Sequence, residues 1–453
     1  MSTIAAISTG QAAGGIGIVR ISGENALFVA DRIFKSIQGK VLSELKGYTA
    51  SFGKVFLGEK AIDDAVALVF KAPKSYTGED VVEISCHGGL YITRQVLRAA
   101  LEAGAVPAQA GEFTKRAFLN GKMDLTKAEA VMNMISAHSE QAGQAALSTL
   151  DGVLSKKIAE VTEILTKNAA NMAAWVDYPD EEIEDLDDKS LLSDILECRS
   201  QLSLLISQFD AGQAIIEGVA TAIIGRPNVG KSTLMNMLVG SEKSIVTSVA
   251  GTTRDVVEET VTLGDMVLRL ADTAGLHETD DAVESIGVER AKDKIEKANL
   301  VLAVFDASDE INSEDEDIFK LCKDKNCIAI VNKTDLDMKI DCEILKNVFK
   351  QVIFISAKEN KGYNELKDAV MEILGTADFN PSAATLINER QLDCCKKALN
   401  CIVDAENALK TGFTRDAINV CIDVAIENLM VLTGEKATET VVNQVFSSFC
   451  VGK

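Results

Sequence analysis

A run of residues near the middle of the chain has the types and spacing that hold a polyphosphate. It reads Gly225-Arg-Pro-Asn-Val-Gly-Lys-Ser232, after an apolar stretch at Val219–Ile224 that predicts a buried strand and before residues 233–238, which predict a helix. Glycines let the backbone N–H groups of such a loop turn toward phosphates, and the helix N-terminus adds its dipole. Lys231 can reach the outer phosphates, and the Ser232 hydroxyl can ligate Mg²⁺. These features predict a nucleotide site.

Downstream segments indicate which base the nucleotide carries, and each follows a predicted strand. Asp272-Thr-Ala-Gly275 follows a strand at 267–271, where a carboxylate can hold Mg²⁺ through water. A buried strand is predicted at 300–305, and one at 327–331 leads into Asn332-Lys-Thr-Asp335. The Asp335 carboxylate suits the N1–H and 2-amino donors of guanine, which adenine lacks. A strand at 352–355 precedes Ser356-Ala-Lys358, whose backbone N–H groups can bind the guanine O6. This order predicts a GTPase.

The segment Gly251-Thr-Thr-Arg-Asp255 resembles the first switch of the translation-factor-related GTPases. Thr253 would then ligate Mg²⁺ and contact the γ-phosphate in the triphosphate state. Gly-Thr-Thr is also an ordinary turn and helix-capping sequence. Its position between the phosphate loop and residues 272–275 favours the switch.

Hydrolysis needs a group that orients water and a cation that stabilises charge. No glutamine follows residues 272–275, so a carboxylate is expected to orient the water, with Glu284 and Glu289 as candidates. The cation is either Arg254 or a monovalent metal. The Asn228 side-chain oxygen, with backbone carbonyls of residues 247–252, could cage K⁺. A hydrogen bond that stabilises the loop is the alternative role for Asn228.

Length and composition limit the class of protein. A chain of 453 residues predicts about three domains. Ten cysteines without CxxC pairs, together with three histidines, favour free thiols in a reducing compartment over a zinc site. The sequence shows no signal peptide or apolar run of transmembrane length, so a soluble cytoplasmic protein without membrane contact is expected.

The net charge of −22 restricts the partners of the chain. Nucleic-acid phosphates are bound largely by Lys and Arg, so any RNA substrate is expected to be held mainly by a partner protein or by a local basic patch. Residues 177–188 carry eight carboxylates and no basic residue, which we interpret as a solvated helix end or linker.

Hydrophobic periodicity divides the chain into regions. Strand patterns at 16–22, 53–57, 65–70 and 81–86 and a helix pattern at 90–103 indicate an α+β N-terminal domain. Helical patterns follow at 191–209 and 386–432 on either side of the nucleotide segment. The expected fold is thus an α+β N-terminal domain (1–118), an all-α helical domain (119–215 and 378–453) and an inserted α/β Ras-like P-loop GTPase domain (216–377). A single amphipathic helix is predicted from apolar residues three and four positions apart: Leu147, Leu150, Leu154, Ile158, Val161 and Leu165.

With these segments assembled, the whole chain resembles the tRNA-modification GTPase family MnmE, also called TrmE or ThdF. The N-terminal block and the terminal pentapeptide distinguish this family from other GTPases. The resemblance rests on Gly14-Gly-Ile-Gly-Ile-Val-Arg-Ile-Ser-Gly23, Tyr76-Thr-Gly-Glu-Asp80, His87-Gly-Gly89, Gly111-Glu-Phe-Thr114, Arg116-Ala-Phe-Leu-Asn120, Pro179-Asp-Glu-Glu182 and Phe449-Cys-Val-Gly-Lys453.

The resemblance implies a tetrahydrofolate-binding N-terminal domain that also forms the homodimer. The expected ligand is (6S)-5-formyl- or 5,10-methylene-tetrahydrofolate, with contacts from Arg20, Glu83, Lys122 and Lys453. A carboxylate suits the amide and amino edge of a pterin, and cations suit its glutamate tail. The alternative is that Arg20 and Glu83 only form an ion pair.

The resemblance also implies a K⁺-activated GTPase. Mg²⁺ would be held by Ser232 and Thr253, and K⁺ by Asn228, Thr247, Val249 and Thr252. Glu284, Lys231 and Arg254 are the expected catalytic residues. The expected nucleotide-binding residues are Asn228, Val229, Gly230, Lys231, Ser232, Thr233, Thr247, Ser248, Val249, Ala250, Gly251, Thr252, Thr253, Asp272, Thr273, Ala274, Gly275, Asn332, Lys333, Asp335, Ser356, Ala357 and Lys358.

Members of the family work with a FAD-dependent partner, MnmG (GidA), in a heterotetramer. Together they install a carboxymethylaminomethyl or aminomethyl group on C5 of the wobble uridine of certain tRNAs. Cys450 matches the C-terminal cysteine of the family, and its role is either a functional thiol or small apolar packing. The alternative function for the whole chain is a regulatory ribosome-assembly GTPase of the Era or Der type.

Overall fold

The structure, a computed structural model, describes residues 1–10, 12–177, 187–240, 259–270, 295–296, 298–323 and 325–453. The chain forms two compact units. The first comprises Met1–Met132 and Ile426–Lys453, and the second comprises Asn133–Ala425.

The first unit contains a seven-stranded sheet. Its strands are β1 (Ile4–Ile7), β2 (Ile16–Ser22), β3 (Phe34–Ser36), β4 (Thr49–Leu57), β5 (Lys60–Phe70), β6 (Val81–His87) and β7 (Val106–Pro107). The order across the sheet is β3-β4-β5-β6-β2-β1-β7. Neighbours are antiparallel except β1 and β7. The predictions of β2, β4, β5 and β6 are confirmed. Sequence analysis missed β1, β3 and β7, because runs of four, three and two residues show too little alternation.

Helices α1 (Ala26–Ile33) and α2 (Leu90–Glu102) contribute to the core of this sheet. Strand alternation places Val19 and Ile21 on one face, and both are fully buried. Burial of each such side chain stabilises the fold by about 1.5–3 kcal/mol. The expected α+β class of the N-terminal region is thus confirmed.

The remaining helices of the first unit are α3 (Glu112–Leu119), the first part of α4 (Leu125–Ser136), the last part of α14 (Arg415–Thr433) and α15 (Glu439–Ser447). Leu125 of α4 packs in a small core with Phe446 of α15 and with Phe449, which follows α15. Beyond Phe449 the chain runs beside the start of α3, where Gly111 N donates to Cys450 O at 3.3 Å. The two ends of the first unit are therefore joined in one fold.

The second unit contains a six-stranded sheet. Its strands are β8 (Val219–Ile224), β9 (Glu259–Leu263), β10 (Met266–Leu270), β11 (Leu300–Asp306), β12 (Cys327–Asn332) and β13 (Gln351–Phe354). The order is β13-β12-β11-β8-β10-β9, and all neighbours are parallel except β9 and β10. The helices of this region are α9 (Lys231–Gly240), α10 (Ser313–Cys322), α11 (Cys342–Val348) and α12 (Tyr363–Ile373). This α/β arrangement confirms the expected class, and the carboxyl ends of its parallel strands are where ligands bind in open α/β sheets.

The all-α part of the second unit contains α5 (Glu140–Leu150), α6 (Val153–Asp177), α7 (Asp188–Ser207), α8 (Phe209–Ile216), α13 (Glu389–Lys410) and the first part of α14. The single helix predicted through Leu147 and Leu165 is wrong. The first helix, α5, has its C-cap at Asp151, and Gly152 has a φ of +89°, which interrupts the helical backbone. A second helix, α6, begins at the next residue. The apolar spacing continues across this break in the helix, although Leu147, which keeps the spacing, is 51% exposed.

Within the described ranges, no helix is long and apolar enough to cross a membrane.

Candidate functional site

The phosphate loop joins β8 to α9, as the sequence predicts. Gly225 has a φ of +154°, and a Cβ there would lie 2.5 Å from the Val304 carbonyl oxygen. Gly230 has a φ of +96°, and a Cβ there would lie 2.3 Å from Asn332 Nδ2. Both backbone positions exclude a side chain, so the glycines of the motif are required by geometry as well as by backbone freedom.

Lys231 begins α9 and lies against the loop that precedes it. Its Nζ donates to the carbonyl oxygens of Gly225 at 2.9 Å and Arg226 at 2.6 Å. Ser232 and Thr233 follow in the first turn of the helix. A lysine beside a helix N-terminus provides positive charge and N–H donors for a polyphosphate.

Asn332, at the end of β12, joins two of the predicted loops. Its Nδ2 donates to the Val229 carbonyl at 3.0 Å, and its Oδ1 accepts from Ala357 N at 3.0 Å. The Asn332 side chain is buried, and all its observed partners are backbone groups of nucleotide loops. The structure therefore brings the phosphate loop and residues 356–358 together through one side chain.

Asp335 and Ser356 form the polar edge of the predicted base site. The Ser356 hydroxyl donates to Asp335 Oδ1 at 2.7 Å. This hydrogen bond is the largest cause that lowers the pKa of Asp335, and the nearby positive charge of Lys358 contributes in the same direction. Asp335 is consequently a carboxylate at neutral pH and can act only as an acceptor.

Lys333 has a φ of +66°, and its Nζ lies 2.5 Å from Asp306 Oδ2. Asp306, at the end of β11, is 4% exposed. Burial favours its neutral form, but hydrogen bonds from Lys333 and Ser308 outweigh burial and lower its pKa. Sequence analysis did not identify Asp306. Its place directly after a buried strand was the available signal.

Arg226, the second residue of the phosphate loop, contacts carboxylates and was also missed. Its Nε donates to Asp315 Oδ1 at 2.9 Å, and a second guanidinium nitrogen lies 3.7 Å from Asp309 Oδ2. Asp315 is 1% exposed, and burial raises its pKa. This contact joins residues 89 positions apart, so local sequence contained no signal for it.

Several predicted residues lie outside the described residues. Asn228 is described, and its φ of +64° is one that asparagine tolerates better than most residues. The other expected K⁺ ligands are not described, so the K⁺ and Mg²⁺ assignments stay predictions. The predictions outside the described residues are those for Thr247, Ser248, Val249, Ala250, Gly251, Thr252, Thr253, Arg254, Asp272, Thr273, Ala274, Gly275, Glu284 and Glu289.

The predicted folate residues lie in the first unit. Arg20 and Glu83 face each other across β2 and β6, with Nε and Oε1 2.8 Å apart. The ion pair named as the alternative is thus present. Arg20 is 5.5 Å from the ring centre of Tyr76 and 5.4 Å from that of Phe113.

The two predicted lysines lie at different parts of the first unit. Phe113 N donates to the Lys453 carbonyl at 3.2 Å, and the neighbouring Gly452 carbonyl accepts from Arg20 at 3.5 Å. Lys122 instead donates to the Pro73 carbonyl at 3.1 Å. The terminal pentapeptide therefore lies beside the Arg20–Glu83 pair.

The cysteines follow the expected pattern of thiols. No disulfide joins any of the ten, all of which are described. Cys450 is exposed, so the apolar-packing interpretation does not hold within this chain. No group of three or more histidine, cysteine, aspartate or glutamate side chains in the described part of the chain could hold a metal ion.

Comparison with known proteins covers the whole chain. The family model described as "MnmE helical domain" matches residues 125–450, and "GTP-binding protein TrmE N-terminus" matches residues 3–122. The tRNA modification GTPase MnmE of Alkaliphilus oremlandii (strain OhILAs) is 40% identical over 456 residues, covering 100% of this chain and 99% of the relative. That of Clostridioides difficile (strain 630) is 41% identical over 454 residues, with the same coverage.

A crystal structure of Era in complex with MgGDPNP and nucleotides 1506–1542 of 16S ribosomal RNA is 31% identical. It covers 40% of this chain and 65% of the Era chain, with a TM-score of 0.26, too low to add to the fold assignment. The alternative of an Era or Der type is not favoured, because the curated relatives match this chain from end to end. These full-length matches and the two family models show that the chain belongs to the MnmE family of tRNA modification GTPases.

Proposed function

We propose that this chain hydrolyses GTP in a K⁺-activated reaction coupled to tRNA modification. The product would carry a carboxymethylaminomethyl or aminomethyl group on C5 of the wobble uridine, with a carbon from methylene-tetrahydrofolate. The observation that carries the GTPase part is the pair of hydrogen bonds at the Asn332 side chain, which donates to the Val229 carbonyl and accepts from Ala357 N and so links the phosphate loop to residues 356–358.

Selection of guanine follows from the chemistry of Asp335. Its carboxylate would accept from the N1–H and 2-amino groups of guanine, while the backbone of residues 356–358 would donate to O6. Adenine lacks both of these donors, and an unpaired polar site rejects such an analogue strongly. The hydrogen bond from Ser356 supports this role, because it keeps Asp335 charged and oriented.

The phosphates would be held by the loop that β8 and α9 position. Lys231 would exchange its bonds to the Gly225 and Arg226 carbonyls for the outer phosphates. The first amides of α9 would donate to phosphate oxygens. These groups neutralise charge that develops during transfer, which is the main contribution of the protein to phosphoryl chemistry.

Two metal ions complete the proposal. When bound, Mg²⁺ and K⁺ would supply positive charge at the phosphates. The described residues fit this role in part: Ser232 would be a Mg²⁺ ligand in the first turn of α9, and Asn228 would offer an oxygen to K⁺ from the phosphate loop. We assign the remaining ligand positions to Thr253 for Mg²⁺ and to Thr247, Val249 and Thr252 for K⁺. Arg254 and Glu284 would stabilise charge and orient water.

The N-terminal domain would bind a reduced folate and form the homodimer. Arg20 and Glu83 present a cation and an anion that are 15% and 20% exposed, and the rings of Tyr76 and Phe113 flank the arginine. This combination fits a ligand with a polar heteroaromatic ring and a carboxylate tail. Lys453 and Lys122 would bind the glutamate end.

The domain boundaries proposed for this function are 1–118 for folate binding and dimerisation, 119–215 with 378–453 for the helical domain, and 216–377 for the GTPase domain. The FAD-dependent partner MnmG would complete a heterotetramer and hold most of the tRNA, since the net charge of this chain is −22. The reaction would take place in the cytoplasm.

Turnover of GTP by the purified chain in KCl and in NaCl tests the proposal. We expect hydrolysis in KCl that exceeds the rate in NaCl and is lost in Lys231→Ala. Equal rates in the two salts would contradict the proposed activation by potassium. Absence of turnover in both salts would contradict the proposed GTPase activity. Nucleoside analysis of tRNA from cells lacking the protein tests the modification. Loss of the wobble modification, restored by the wild-type chain and not by Asp335→Asn, is the expected result.

A further inference from the structure

The segment 306–315, which runs from the last residue of β11 into the first turn of α10, contacts both nucleotide loops. Its first residue, Asp306, pairs with Lys333 of the base loop. Its last residue, Asp315, pairs with Arg226 of the phosphate loop. Neither carboxylate belongs to the phosphate-binding or guanine-binding motifs.

On the base side, Asp306 holds Lys333 with a carboxylate that is itself fixed. One oxygen of Asp306 accepts from Ser308 N at 2.9 Å and from Ser308 Oγ at 2.7 Å, while the other accepts from Lys333 Nζ. The backbone of Asp306 lies beside that of Asn332 in the β11–β12 pairing. The four-carbon stem of Lys333 is thus held at both ends, beside the residue that joins the two loops.

On the phosphate side, Asp315 holds Arg226 in a similar way. Asp315 Oδ1 accepts from Arg226 Nε, and Asp315 Oδ2 accepts from Asn312 N at 3.1 Å in the capping box of α10. Asp309 adds a weaker contact to the same guanidinium group. The guanidinium is therefore directed into the protein, and Arg226 acts as an anchor for the backbone of its loop.

We propose that segment 306–315 is a brace that positions both nucleotide loops, with Asp306 acting through Lys333 on the base and Asp315 acting through Arg226 on the phosphates. The inference rests on the proposed function, because it assumes that guanine nucleotide binds at these loops. Asp306 and Asp315 are positioning residues in this proposal, since each acts through another side chain.

Two separate effects on affinity follow from this arrangement. A tethered lysine stem presents a preorganised apolar surface to the base, so release of the tether would weaken every guanine nucleotide by the same factor. Release of the Arg226 anchor would loosen only the phosphate loop, so it would weaken binding of a diphosphate more than that of a monophosphate. The ratio of GDP affinity to GMP affinity distinguishes these effects.

The test measures displacement of a fluorescent GDP analogue by GDP and by GMP from the full-length chain. For Asp306→Asn, which keeps the shape of the side chain, we expect both affinities to fall about three- to tenfold, the cost of ordering one flexible side chain. The GDP:GMP ratio would stay at the wild-type value. For Asp315→Asn and Arg226→Met, we expect the ratio itself to fall about three- to tenfold.

A double variant shows whether Asp306 acts through Lys333. Lys333→Met keeps an apolar stem and removes the charge. If the brace operates as proposed, Asp306→Asn causes no additional loss of affinity in the Lys333→Met background. Additive losses of affinity in the double variant would overturn the proposal that Asp306 acts on the base through Lys333. Thermal unfolding of the nucleotide-free variants measures structural damage. General damage would not leave the GDP:GMP ratio unchanged in Asp306→Asn while lowering it in Asp315→Asn and Arg226→Met.

The remaining outcomes are decisive. Wild-type GDP and GMP affinities in Asp306→Asn, or an unchanged ratio in both Asp315→Asn and Arg226→Met, would overturn the brace while the proposed GTPase function stood. Failure of the wild-type chain to bind GDP would overturn both. If Asp315→Asn does not fold, Arg226→Met tests the effect on the phosphates, because Arg226 is 15% exposed and Asp315 keeps its bond to Asn312 N.

Discussion

Asn332 Nδ2 donates a hydrogen bond to the carbonyl oxygen of Val229 at 3.0 Å, across 103 residues of sequence. The opposite end of the same amide accepts from Ala357 N. One buried side chain therefore sets the distance between the loop predicted to hold phosphates and the loop predicted to hold the base. The geometry of the nucleotide site depends on this amide.

The variant Asn332→Asp tests that dependence. The introduced carboxylate would still accept from Ala357 N, but it could not donate to the Val229 carbonyl. We expect GDP to bind about tenfold more weakly or worse, since a buried acceptor loses its donor. Titration with a fluorescent GDP analogue measures the effect. Asn347→Asp, which makes the same change at an exposed asparagine of α11, is the matched control and should bind as wild type. Unaltered binding by Asn332→Asp would show that the Val229 bond is dispensable.

The hydrogen bond between Ser356 and Asp335 predicts a change in pH dependence. Because that bond lowers the pKa of Asp335, the carboxylate that accepts from guanine persists to a lower pH than it would in an ordinary aspartate. Ser356→Ala would move the pKa of Asp335 back toward its ordinary value. GDP affinity of this variant should therefore decline at a higher pH than that of the wild type.

Calorimetric titrations of GDP between about pH 3 and pH 6, which include the ordinary pKa of an aspartate and values below it, measure this shift. Asp335→Asn serves as the control, because it has no carboxyl group at this position to titrate. Superimposable pH profiles for Ser356→Ala and the wild type would contradict the assignment of Asp335 as the charged acceptor.

Substitution of Gly111 tests how firmly the terminal pentapeptide, residues 449–453, is held. Its φ is +63°, and a Cβ would lie 2.8 Å from Phe449 Cβ. We expect Gly111→Ala to destabilise the first unit by about 2–4 kcal/mol, from strain plus the clash. Urea unfolding measures the loss, and hydrogen exchange at residues 449–453 should increase. Gly121→Ala is a matched control, because Gly121 has a φ of +67° and no neighbouring atom within 4 Å of its Cβ position.

The strain is common to both glycine variants, so the difference between their free energies of unfolding isolates the contacts with Phe449 and with the Phe446 carbonyl oxygen. Equal destabilisation by the two substitutions would mean that the pentapeptide relaxes without cost. In that case, Gly111 would be required only for its backbone conformation.

Cys450 is predicted to be the thiol that reacts first. It is exposed, whereas burial raises the pKa of Cys86 to about 11 and that of Cys198 and Cys395 to about 12. A thiolate is the reactive form, so these buried cysteines should be nearly inert at neutral pH. Reaction of the native protein with a chromogenic disulfide should show a fast phase of one thiol per chain. Cys450→Ser should abolish that phase, and its persistence would assign the fast thiol elsewhere.

Much of the nucleotide site was predictable because its signals are local. A buried strand, a glycine-rich loop and a helix follow one another at residues 219–240, and the structure confirms each of them. Asp335 and Ser356 were likewise identified from short segments after strands. Such motifs can be identified from the sequence, since backbone conformation over a few residues depends largely on those residues themselves.

Helix boundaries were less predictable for a physical reason. Apolar residues from Leu147 to Leu165 keep a helical spacing, yet the chain breaks at Asp151 and Gly152. Periodicity reports which side chains face a core, whereas the break depends on a positive φ that glycine permits and that the apolar spacing does not reveal. Leu147 shows the result, because it keeps the spacing and is half exposed.

The order of residues along the chain was sufficient to indicate a guanine-nucleotide module, its loops and the family to which the protein is similar. It suggested that Arg20 and Glu83 could form an ion pair, but it did not indicate that Lys333 meets Asp306 or that Arg226 meets Asp315. Those two contacts were decided only when the fold brought distant positions to one edge of the sheet. Ion pairs form between whichever groups the fold places within a few ångströms, and separation along the chain places no limit on that choice.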